Sequence, residues 1–127
     1  MAFQYSSTLR TNQVGQLQTT IGTGGTLKIF SGAEPANCAA ADPTGLLCTI
    51  TLPSTFLTSS GGATTIAGTW SANAAAGGTA ASFRMYDTGG TCHIQGNVTS
   101  DLVLNNTNIA SGQTVTVTSF TVTAGNS

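Results

Sequence analysis

The spacing of apolar residues changes period once along this chain, near residue 25. Before that point Val14, Leu17 and Ile21 recur at intervals of three and four, the signature of one helix face. Thr11 or Asn12 can accept the first free N–H groups, and Gly22 can close the end in a left-handed turn. A helix is therefore expected over 12–21. Ahead of it Phe3, Tyr5 and Ser7 alternate with Gln4, Ser6 and Thr8, which reads either as an extended arm over 1–11 or as a first strand.

After residue 25 the period is two. Leu27 and Ile29 share a face opposite Lys28 and Phe30. Leu46, Cys48, Ile50 and Leu52 line another, and Pro53 stops that strand or places it at an edge. The stretch 58–63 reads as a loop, and 64–74 as a strand made irregular by Gly68. Ala81, Phe83 and Met85 alternate with Ser82, Arg84 and Tyr86. The turn signal Asp87-Thr88-Gly89-Gly90 then sends the chain back through Cys92, Ile94 and Val98, with Gly96 as the expected bulge. In the last strand Val115 and Val117 point one way and Phe120 and Val122 the other. A bulge at Thr118-Ser119 would keep the inner face apolar. Short strands at this spacing predict a single-domain, all-β antiparallel sandwich over 12–127, jelly-roll-like or barrel-like, with one short N-terminal helix.

Composition changes the picture in one respect. Seven of 127 residues are charged, 6 %, whereas ordinary soluble domains carry about 25 %. Threonine fills much of the difference with 24 copies. Such a surface presents hydroxyls and backbone and suits packing against other protein. The net charge of −1 leaves no basic footprint for nucleic acid. No apolar run is long enough to span a membrane, and the start MAFQYSSTLR reads as no secretory leader, so folding in the cytoplasm is expected.

Candidate chemistry is sparse. His93 follows Cys92 in a strand, so the two face opposite sides and cannot act as a nucleophilic pair. Cys38, Cys48, Cys92 and His93 match no common zinc spacing. Asp42, Asp87 and Asp101 sit beside turn residues, where capping explains them. The glycine clusters lack the Lys-Ser/Thr of a phosphate loop, and Trp70 reads as core rather than as a sugar platform. No catalytic residue, metal or cofactor is expected. Three cysteines, an odd number, read as free thiols. The alternative is a bridge between Cys38 and Cys48, which bracket the turn-rich AAADPTGLL, formed after release into an oxidising medium.

Several segments, in order along most of the chain, resemble a family of small tailed-phage and prophage proteins. They are 12–22, LKIFSGAEPANCAAADPTGLLCTITL (27–52), SFRMYDTGGTCHIQGNV (82–98) and DLVLNNTNIASGQTVTVTSFTVTAGN (101–126). Gln95 stands where the family pattern has an aspartate, and Cys38 and Cys48 lie outside that pattern. The resemblance implies a capsid decoration or cement protein. Such a protein binds the outside of the major capsid protein shell as a homotrimer and braces neighbouring capsomers, with no catalytic residues to carry over. Virion location follows from the same resemblance. On this reading Phe3 and Tyr5 anchor the arm on a neighbouring capsid subunit or protomer, adding a strand to an exposed sheet edge. The alternative is a head or tail fibre module that binds a host glycan or receptor. It calls for exposed aromatics, for which Trp70, Tyr86 and Phe56 are the available residues.

Overall fold

Among the described residues one helix, α1 (Ser7–Ile21), precedes eleven strands. These are β1 (Thr26–Phe30), β2 (Leu46–Thr51), β3 (Leu57–Ser60), β4 (Ala63–Ile66), β5 (Ser71–Asn73) and β6 (Gly78–Thr79). They continue with β7 (Ser82–Tyr86), β8 (Cys92–Asn97), β9 (Leu102–Leu104), β10 (Asn108–Ile109) and β11 (Thr114–Thr123). The structure is a computed structural model and describes residues 4–99 and 101–123.

The helix starts five residues earlier than the apolar spacing predicts. Ser6 has extended backbone, and its hydroxyl accepts the Leu9 N–H at 3.0 Å, so it caps the helix. Residues 7–11 are therefore helical and belong neither to an arm nor to a strand. Apart from the exposed Leu9 their side chains are polar and gave the helical period nothing to register on. Tyr5 is half-buried just ahead of the cap, and Phe3 lies outside the described residues. Gly22 ends the helix as expected, at φ 72°, with its N–H donating to the Gln18 carbonyl at 2.8 Å.

Two antiparallel sheets form the body. The first has the order β2-β1-β7-β8; the second runs β3-β4-β11-β5, and β9 also pairs with β11. β6 and β10 form a separate small ladder. The arrangement is sandwich-like, and the strands do not close into the barrel that was the alternative. The stretch 58–63, expected to be a loop, is the β3–β4 hairpin. Gly61 and Gly62, at φ 59° and 82°, supply the positive dihedrals of its turn.

Three bulges set which side chains face inward. In β11 the register passes from Val117↔Leu104 to Ser119↔Val103, so Thr118 is the extra residue; Val115, Val117 and Phe120 are all buried, as the phase slip predicted. In β2, Ile29 opposes Cys48 and Phe30 opposes Leu46, so Leu47 is extra. Leu47 turns into the core, and Leu46, expected inside, is 41 % exposed. In β8 the extra residue is His93, between Met85↔Ile94 and Tyr86↔Cys92. The bulge was expected at Gly96, and Cys92 consequently does not share the face of Ile94. Gly96 pairs regularly with Phe83; a Cβ there would come within 2.8 Å of the Phe83 ring, which explains the glycine by close packing.

The core lies between the sheets. Leu27, Ile29, Cys48, Ile50, Phe83 and Met85 line the inner face of the first sheet. Phe56, Trp70, Leu102, Val115 and Phe120 come from the second sheet and its connections. Phe83 meets Phe120 edge-on across the layers at 5.8 Å between ring centroids. Trp70 packs on Phe120 and Phe56 at 5.8 and 6.1 Å, and its indole N–H donates to the Ala67 carbonyl. The core reading of Trp70 holds. Val14 and Ile21 of α1 are buried, and the helix joins β3 and its turn through two side-chain bonds. Gln18 Oε1 accepts from Leu57 N at 2.7 Å, and Thr11 Oγ1 accepts from Gly62 N at 2.8 Å.

Candidate functional site

Two surfaces set this fold apart: an uncharged hydroxyl face on the second sheet, and a loop folded over a buried cation on the first. On the second sheet, Leu57, Thr64 and Val122 turn inward, so their neighbours in sequence turn out. Thr58, Thr65 and Thr121 stand side by side across β3, β4 and β11, and all three are exposed. Thr123 and Ser60 extend the row in the same sense, flanking Ala63. β-Branched threonine suits a pleated strand and carries its polarity without charge. Covering such a face requires no ion to be desolvated, in contrast to a face of lysines and glutamates.

On the first sheet the outer face would ordinarily be solvated. Here the loop 31–45 folds back over it. All five residues of β7 are buried: Phe83 and Met85 by the core, Ser82, Arg84 and Tyr86 by other contacts. Arg84 is 2 % exposed. Its Nη1 donates to Asp42 Oδ1 at 2.9 Å, Nη2 to the Asn37 carbonyl at 2.9 Å, and Nε and Nη2 to Gln95 Oε1 at 3.2 and 3.0 Å. Gln95 Nε2 in turn donates to the Pro35 carbonyl at 2.8 Å. The Tyr86 hydroxyl donates to Asp42 Oδ1, and the Lys28 ammonium lies 4.9 Å from the Tyr86 ring centroid. The Ser82 hydroxyl donates to the Gly32 carbonyl at 2.7 Å. One guanidinium thus gathers a loop and two strands by satisfying the acceptors it buries.

The electrostatics match this role. The Tyr86 hydroxyl, and then the Arg84 guanidinium, hold the Asp42 carboxyl below its ordinary range against the opposing effect of burial. Burial pushes the Tyr86 phenol well above its usual value, and the Asp42 carboxylate adds to the effect. Burial works against the Arg84 charge, and Asp42 together with Cys92 and Tyr86 outweighs it, so the guanidinium is held above its ordinary value.

The Cys38–Cys48 bridge is not formed; all three cysteines are free. The sheet separates the two. Cys48 lies on the inner face opposite Ile29, with its thiol directed at the carbonyls of Ala72 and Asn73, and burial pushes that thiol up. Cys38 travels with the loop to the outer face, where its thiol meets that of Cys92. His93 Nε2 lies 2.9 Å from Asp87 Oδ2, and Asp87 Oδ1 accepts the Thr91 N–H at 3.0 Å, which ties down the β7–β8 turn. His93 and the Thr91 N–H lower the Asp87 carboxyl. Asp101 Oδ2 accepts the Asn97 N–H at 2.9 Å, the capping role its position suggested. A groove of about 340 Å³ opens between β8 and β11, lined by Phe83, Ile94, Gln95, Asp101 and Phe120 with the strand end 121–123.

Sequence reasoning missed the Arg84–Asp42–Tyr86–Gln95 cluster. A usable signal existed: three cations in the whole chain, one of them in mid-strand between Phe83 and Met85. No family model, curated protein or solved structure matches this chain. Among the described residues no helix is long and apolar enough to cross a membrane, and no three His, Cys, Asp or Glu side chains group as metal ligands.

Proposed function

We propose that this chain is a structural virion protein of a tailed phage: a capsid decoration or cement protein. It binds the outside of the major capsid protein shell, self-associates as a homotrimer and strengthens capsomer contacts. The observation that carries this reading is the exposed row Thr58–Thr65–Thr121, part of a sheet whose strands hold no charged residue. Apart from it, the resemblance of 27–52, 82–98 and 101–126 to small virion proteins points the same way. Contacts of this kind are individually weak and act together when repeated over a lattice. The strongest internal polar cluster, around Arg84, is spent on holding the fold's own loop.

A host-binding fibre module needs aromatics at the surface. Trp70 and Phe56 are fully buried, and Tyr86 is 5 % exposed and bonded to Asp42. The deciding experiment is the copy number of this chain in purified particles, measured by quantitative mass spectrometry against the major capsid protein. A count that scales with the major capsid protein is the expected result. A count fit only for a vertex or a tail tip would remove the decoration reading. Thr65→Glu, on the exposed face, is expected to lower shell occupancy while the isolated chain remains folded.

A further inference from the structure

The loop 31–45 brings together two thiols that lie far apart in the chain. Asn37 is fixed first. Its carbonyl accepts from Arg84 Nη2 at 2.9 Å, and its Oδ1 accepts from Ala39 N and Ala40 N at 2.9 and 3.0 Å. Cys38 is therefore held inside a side-chain-capped turn. The Pro35 carbonyl, bonded to Gln95 Nε2, clamps the chain just before that turn. On the sheet beneath, the bulge at His93 places Cys92 opposite Tyr86, on the face that carries Arg84. The loop thus sets Cys38 beside Cys92, near enough for the two thiols to interact, and both residues are half-buried rather than sealed. Among the described residues no third metal-type ligand joins them, so the pair is not a metal site.

We infer that Cys38 and Cys92 are a redox-active dithiol that closes to a disulfide on meeting a small-molecule disulfide of the glutathione class, locking loop 31–45 onto β8. In the first step Cys38 gives its proton to water, and its thiolate attacks one sulfur of the oxidant. The oxidant's S–S bond breaks, one half leaves as a thiolate and takes up a proton, and Cys38 carries the other half as a mixed disulfide. In the second step Cys92 loses its proton to water and attacks Cys38 Sγ, expelling the second half as a thiolate that is protonated in turn. Two protein thiols are oxidised and one disulfide is reduced to two thiols. Burial, and then the neighbouring Cys38, raise the Cys92 thiol; the same two steps with the thiols exchanged give the same bridge. This inference is independent of the capsid reading.

The test uses the intact chain, incubated with oxidised glutathione, quenched in acid, unfolded, alkylated and mapped by mass spectrometry. The expected result is loss of two of the three thiols, one linked peptide joining Cys38 to Cys92, and Cys48 alkylated. Cys92→Ser should stop at a glutathione adduct on Cys38. Amide exchange across 33–44 should slow on oxidation of the natural chain and not of Cys92→Ser. Four results would overturn the inference: a Cys38–Cys48 link, a disulfide between two chains, three alkylatable thiols after oxidation, or unchanged exchange in the loop. The map of the natural chain decides the pairing even if a variant fails to fold.

Discussion

Replacing Asp42 with alanine tests whether the Arg84 cluster holds the loop or merely decorates it. The substitution leaves the guanidinium, 2 % exposed, with Gln95 Oε1 and the Asn37 carbonyl but no counter-charge. Removing one partner of a fully buried pair costs roughly 3–5 kcal/mol. The Asp42 side chain is itself 46 % exposed, so water screens the pair and partly replaces the carboxylate, which reduces the electrostatic cost to about 2 kcal/mol. The Tyr86 hydroxyl also loses its acceptor, adding about 1 kcal/mol. The expected loss is thus about 3 kcal/mol. With an unfolding entropy of about 2.1 cal/mol/K per residue, a chain of this length should melt about 11 °C lower. Calorimetry measures the shift, and urea unfolding at constant slope checks that the denatured state is unchanged. Asp42→Asn keeps an oxygen acceptor for Arg84 and Tyr86 without the charge and should lose less stability than Asp42→Ala. A fall of less than about 3 °C in Asp42→Ala, or a fall in Asp42→Asn as large as in Asp42→Ala, would refute the reasoning.

The same pair fixes a pH dependence. Folding depresses the Asp42 carboxyl below its ordinary value of 3.8, so the folded chain binds that proton less readily than the unfolded one. The resulting stability is fully present above about pH 5 and is lost as pH falls through 3.8 toward the folded value. Asp42→Ala should therefore show a shallower acid limb than the natural chain, and identical limbs would remove Asp42 as its source.

Two further substitutions probe the fold elsewhere. Thr64 is fully buried, and its hydroxyl has no partner among the described residues. Thr64→Val should therefore raise stability by about 1 kcal/mol, and a lower melting temperature would show that the hydroxyl is satisfied. Gly45 has φ 76°, and a Cβ there would collide with the Ser31 hydroxyl. Gly45→Ala should cost about 1–2 kcal/mol in urea unfolding, and a neutral result would mean that the loop relaxes freely.

Much of the strand pattern was legible before any coordinates. The inward rows Leu27/Ile29 and Phe83/Met85 followed from period two, because one buried face selects one phase. The slip at Thr118 was visible as a change of phase within one strand. Bulges at Leu47 and His93 were not, since each sits beside residues whose polarity fits either phase. The helix start escaped for a related reason: 7–11 holds Leu9 and otherwise polar residues, and Ser6 rather than Thr11 or Asn12 makes the cap.

The candidate site divides along the same line. An uncharged, hydroxyl-rich surface is a property of composition, so the chain alone determined it. Which threonines stand together depends on how β3, β4 and β11 are registered, and only the tertiary structure decided that. The thiols show the contrast most plainly. Spacing suggested Cys38 with Cys48, because nearness in sequence makes loop closure easy. The sheet then put Cys48 on its inner face, and the loop carried Cys38 over the outer one to Cys92. Periodicity determines which face of a strand is buried; long-range packing decides what covers the other.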